Sequence, residues 1–205
     1  MGKASRTKGR AKVKAKRSGT GFVAGVVVIL VFGVALIALA RNDHSAGNAA
    51  ARKGPGAKIG DHWHAAIGVN ICGAWQPNLA QYEPSPNTGV HSHGDGYIHL
   101  HPYSAAGAGR NATVGLFYRQ AGDKVSAGQI TFDRKTHKDG DVCENLDRKP
   151  GLVRWTVNGQ EKTGDPAAYA PNDRDVIALA FVPRDADIGT PPVALAGNGP
   201  SDVNQ

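Results

Sequence analysis

The sequence predicts an α+β fold: a mixed sheet with one packed helix, set behind an N-terminal transmembrane helix. Three observations carry this. Residues 21–40, "GFVAGVVVILVFGVALIALA", hold no charge over twenty positions. Several later stretches alternate apolar and polar residues with the period of two that marks strands. A single stretch, 111–122, has helical spacing instead.

Taken in order, residues 1–20 form a basic tail. The first 17 carry eight Lys or Arg and no acid, which leaves 16 basic against 17 acidic residues in the rest of the chain. The overall charge of +7 therefore belongs to the tail. A helix over 21–40 is about 30 Å long, the thickness of a bilayer's hydrocarbon core. Cations massed on one flank mark the cytoplasmic side. The tail holds no aromatic residue to stack on bases, so no nucleic-acid partner is expected. "Ala38-Leu39-Ala40" also fits a signal-peptidase site, but a signal core is usually about 7–15 residues, shorter than this span. The preferred reading is an uncleaved single-pass anchor whose partner through 21–40 is the lipid bilayer. Either reading places the remaining chain outside the cytoplasm.

Residues 41–60 are small, polar and Gly/Ala-rich, a flexible linker. The domain is expected over 61–183, and 184–205, rich in Pro, Gly and Asp, is expected as an extended or disordered tail. In an oxidising compartment the only two cysteines, Cys72 and Cys143, read first as a disulfide. Metal ligation by their thiolates is the alternative.

Within the domain, 62–72 puts Trp63, Ala65, Ile67, Val69 and Ile71 on one face and His62 and His64 on the other. In 97–103, Ile98, Leu100 and Pro102 oppose Tyr97, His99, His101 and Tyr103. Residues 111–122 suit a short amphipathic helix, with Asn111 as candidate N-cap, Val114, Phe117 and Tyr118 on the buried side, and Gly122 at its end. Three strands follow at 128–133, 152–159 and 175–183, the last apolar on both faces as a central strand is. The order β-β-α-β-β-β resembles the β-grasp (ubiquitin-like) arrangement. The stretch 157–183, with its Val-Asn-Gly turn, is similar to the end of small sulfur-carrier proteins of that class. Those carriers end in a reactive Gly-Gly tail. This chain continues past Pro183 without one, so the likeness implies a fold and no carrier activity.

The histidines are the chemical signal. Six of eight lie in three His-x-His pairs: His62/His64 in "DHWHAAIGVNIC", and His91/His93 and His99/His101 in "HSHGDGYIHLHP". Residues two apart on a strand point the same way at a Cα spacing of about 6.5–7 Å, so their rings can converge on one ion. Antiparallel pairing with His64 opposite His101 would put Ala66 against His99 and gather His62, His64, His99 and His101. The same register sets His93 opposite Cys72 as a second, smaller site. The long connection 73–92 suggests a functional or metal-ordered loop.

Imidazoles suit Zn or Cu(II), and the lone methionine, Met1, argues against a thioether-based Cu(I) carrier. Asp95, between the last two pairs, can serve either as a carboxylate ligand or as a partner that steadies an imidazole from outside the ligand set. The rival reading is a non-enzymatic envelope module that docks on another membrane protein, with the histidines as contact or pH-sensing residues. Solvated strand histidines with no special role are the third. No Gly-x-Ser-x-Gly motif is present, and the cupin pattern of a Glu shortly after His-x-His is missing, so the motifs point away from an enzyme. The set "DHWHAAIGVNICGAW", "HSHGDGYIHLHP" and "GRNATVG" behind a basic-flanked span resembles a group of actinobacterial membrane proteins of uncharacterised function. That resemblance implies a cell-envelope location and no activity. The expectation is storage, delivery or sensing of a transition metal.

Overall fold

A computed structural model describes residues 56–201 apart from Ser85 and Asn198. The basic tail, the span 21–40 and most of the linker lie outside the described residues. Among those described, no helix is long and apolar enough to cross a membrane.

The strands and helices run β1 (Trp63–Ile71), β2 (Ala74–Trp75), β3 (Val90–His91), β4 (Tyr97–Leu100), α1 (Val114–Gln120), β5 (Lys124–Ser126), β6 (Gln129–Phe132), β7 (Lys135–Lys138), β8 (Val142–Cys143), β9 (Lys149–Pro150), β10 (Leu152–Val157), β11 (Gln160–Lys162), β12 (Val176–Val182) and α2 (Pro192–Leu195). The main sheet is ordered β11-β10-β12-β1-β4-β3, with β2 paired to β1. Its centre is the parallel pair of β1 and β12, and every other pairing in it is antiparallel. Ile177 to Val182 are all buried, as a strand covered on both faces requires.

The alternation in β1 sorts side chains as its sequence predicts. Ala65, Ile67 and Val69 enter the main core with Ile98 and Leu100 of β4. The cover on that face is α1, through Val114, Leu116, Phe117 and Tyr118. Thr113, not Asn111, caps this helix: its side chain accepts from the Leu116 N–H at 3.0 Å. Asn111 closes a preceding 3-10 turn and donates instead to the Ala105 carbonyl. The expected boundary was early because both residue types can cap and only the local backbone decides. Gly122 (φ +87) follows the helix in the left-handed region, as a terminating glycine does.

Residues 128–133 are the second difference. They form β6 of a separate three-stranded sheet, β5-β6-β7, and not a member of the main sheet. The main-sheet place goes to β11, joined to β10 by Asn158 and Gly159, both at positive φ. That is the dipeptide a two-residue hairpin favours. Strand β11 (Gln160, Glu161, Lys162) is polar throughout and gives no alternation to detect.

On the opposite face, Ala178, Ala180, Val182 and Ile188 make a second, smaller core with Trp75 packed on it. Residues 184–201, expected as an extended tail, cross this face. Asn70 donates to the Ile188 carbonyl at 3.0 Å, and Pro191 and Val193 come up against the bare Cα positions of Gly68 and Gly96. Cys72 and Cys143 are joined in a disulfide across 71 positions. Closing a loop of that size stabilises the fold by about 4 kcal/mol in the chain-entropy view.

Candidate metal centre

The same face carries all six paired histidines at its β1-β4-β3 end. His64 lies opposite His99, and His99 opposite His91, so one row crosses three adjacent strands. His62 and His101 lie beside that row with ring centroids 3.9 Å apart and their planes tilted. His93, just past β3, lies over His99 at 4.2 Å.

The register therefore differs by two residues from the expected one: His64 faces His99, and not His101. A two-residue slip leaves every side chain on its face, so all four histidines of β1 and β4 still meet. His93 is not opposite Cys72, which is taken up in the disulfide; it joins His91 and His99 instead. Side-chain alternation fixes the face of a strand but leaves even-numbered slips open.

Two triads result. Ligand nitrogens of His62, His64 and His101 lie within 4.8 Å of one another, and so do those of His91, His93 and His99. The first triad is the more open, with His62 exposed and the other two half-buried. Its rings are mutually tilted, by 57° for His62 against both His64 and His101, and by 87° between His64 and His101. An imidazole's lone pair lies in its ring plane, so tilted rings can aim at a common point. His62 and His64 also line a cleft of about 660 Å³, bordered by Tyr97, Asp173, Arg174 and Pro200.

The second triad is the more deeply buried, with His93 alone half-buried. His99 is 0% exposed and His91 4%, which corrects the picture of a solvated histidine face. Its rings are nearly parallel, with interplanar angles of 11° to 26°. Nε2 of His91 lies 2.9 Å from Nε2 of His93, and Ser201 Oγ lies 3.2 Å from Nδ1 of His93. Asp95 sits in the tight turn between Gly94 and Gly96, both at positive φ, and accepts from the Tyr97 N–H at 3.1 Å. The turn brings its carboxylate to 3.0 Å from His99 Nε2. Burial raises the Asp95 pKa, but the Ser201 N–H, the His99 ring and the Tyr97 N–H outweigh it, and the carboxyl sits below its ordinary range. Glu83 adds a carboxylate oxygen 3.8 Å from His91 Nε2.

Other residues build the site without any signal in the sequence. At Gly89 (φ +79) a side chain would collide with the His101 carbonyl, at 1.9 Å from the Cβ, so only glycine lets β3 close on β4 here. Gln120 of α1 donates to the Val90 carbonyl at 2.8 Å, tying the helix to the strand that carries His91. Asp173 accepts from the His64 N–H at 3.0 Å, and the Arg174 N–H donates to the His64 carbonyl at 2.7 Å. Buried Asp175 anchors that loop by accepting from the Tyr169 hydroxyl and the Asn172 N–H. Ser201, Asp173 and Arg174 come from the far end of the chain and reach the site only because β12 lies beside β1. Comparison with known proteins returns no matching family model, no similar curated protein and no similar solved structure.

Proposed function

We propose that this chain is a membrane-anchored, extracytoplasmic binding protein for a transition metal, Zn or Cu(II), in storage, delivery or sensing. The observation that carries the reading is the first triad: three mutually tilted imidazoles with nitrogens within 4.8 Å, two of them on the wall of an open cleft. Three protein ligands with one position open to a cleft bind an ion and still let it exchange. Location rests on the charge-free span 21–40 behind a basic flank. The disulfide suits an oxidising compartment. A β-grasp assignment is supported by the central parallel pair of first and last strands, flanked by antiparallel strands, with α1 on one face.

The full chain, purified without an affinity tag and stripped of metal, tests the reading. Zinc or Cu(II) should raise its melting temperature, and the triple variant H62A/H64A/H101A should show a smaller rise. A wild-type melting temperature indifferent to both metals contradicts it.

The competing reading is an interaction module whose histidines contact another membrane protein. The cleft beside His62 and His64 favours it to the extent that it offers a partner some entry. A stoichiometric partner retained by H99A/H101A would support that alternative.

A further inference from the structure

The second triad has no role in the reading above, and its position suggests one. His64 and His99 lie 4.8 Å apart at their ring centroids, and His91 and His101 5.1 Å. The open and buried triads therefore share a wall of imidazoles. We propose that the six histidines form a two-ion centre: an exchangeable divalent ion on His62, His64 and His101, and a retained one on His91, His93 and His99, filled from the cleft side. This rests on the metal-binding reading.

Three features argue for the inner ion. First, the His91 and His93 nitrogens at 2.9 Å share one hydrogen. A tetrahedral ion with bonds of about 2.0–2.1 Å holds its ligand nitrogens about 3.3 Å apart, so an ion replaces that hydrogen with only a small opening. The hydrogen moves to the other nitrogen of its own ring as the ion enters, so the imidazole binds in its neutral form. Second, Asp95 and Glu83 bring two carboxylates beside a buried spot where a dication needs negative charge. Third, Asp95 already holds His99 in one orientation, the job of an outer partner in histidine metal sites.

The near-parallel rings define the order of filling. His91 and His93 already point their nitrogens at each other, but His93 and His99 lie face to face at 4.2 Å and their in-plane lone pairs do not converge, so an entering ion must turn at least one ring. His93 is the ring with room, being only half-buried and tied at its other nitrogen to Ser201 on the crossing C-terminal segment. The outer triad needs no such rotation and faces the cleft. Outer loading is therefore fast, and inner loading is slower and coupled to displacement of Ser201.

Native mass spectrometry of the metal-free full chain titrated with zinc counts the ions. Stopped-flow competition with a zinc-binding chromophore reads the rates. Two zinc ions per chain and two phases are expected. The variant H93A, altered at a half-buried position, should bind one ion and lose the slow phase. H62A/H101A should keep the inner ion but fill it at least about tenfold more slowly. A wild-type count of one, or an unchanged count in folded H93A, overturns the two-ion centre while leaving metal binding intact. A count of zero overturns both.

Discussion

Asp95 folds back across its glycine-flanked turn to meet His99, a fully buried imidazole four residues on, at 3.0 Å. This contact links the turn, the inner triad and the C-terminal segment, because the same carboxylate accepts from the Ser201 N–H at 3.0 Å. Asp95→Asn keeps the shape and removes the charge. Zinc affinity of the inner triad should fall about 10–100-fold, read by competition titration, while the outer triad is little affected.

Asp95 also sets an acid dependence. Its pKa is depressed in the folded chain, so its contribution is complete above the ordinary carboxylate range and is lost as pH falls through the lower folded value. Melting temperatures of wild type and D95N should therefore differ above about pH 4 and converge below it. The gap should be at most about 1 kcal/mol, because solvent screens the interactions of a partly exposed carboxylate. Curves that stay parallel down to pH 2 would contradict this.

Metal binding should follow a different pH course. Protons compete for imidazole nitrogens, so zinc affinity should drop steeply below about pH 6. At about 100 times the dissociation constant, bound zinc should stabilise the fold by about 2.7 kcal/mol at neutral pH. Calorimetric scans with and without zinc at pH 7.5 and 5.5 check both statements.

Gly89 tests whether strand closure positions the site. Gly89→Ala places a methyl against the His101 carbonyl and forces a positive φ on alanine. A loss of at least about 1 kcal/mol is expected, with weaker zinc binding because β3 and β4 separate. Thr113→Ala is the control: it removes the α1 cap on the far side of the sheet, costs about 1 kcal/mol, and should leave zinc affinity unchanged.

Much of this architecture was legible from local pattern. The faces of β1 and β4 follow from period two, and the central position of β12 from its unbroken apolar run. The pairing of Cys72 with Cys143 follows from there being only two cysteines. What was not legible depends on contacts distant in sequence. Alternation is blind to a two-residue register slip, so it does not tell His99 from His101 as the partner of His64. Thr113 and Asn111 look alike as caps until the backbone is known. Burial of His91 and His99 comes from the β3 hairpin and the returning segment that ends at Ser201, neither of which carries an apolar periodic signal. Polar β11 is silent for the same reason, and the alternation in β6 does not say which sheet it joins.

X-ray absorption at the zinc edge tests the central claim most directly, using the untagged full chain loaded with one equivalent of zinc. The account predicts nitrogen ligands at about 2.0–2.1 Å with the outer-shell scattering of imidazole rings, and a reduced imidazole signal at the same loading in H62A/H93A/H101A, which disables both triads. A shell dominated by water or carboxylate oxygen, or an identical spectrum in that variant, would contradict it.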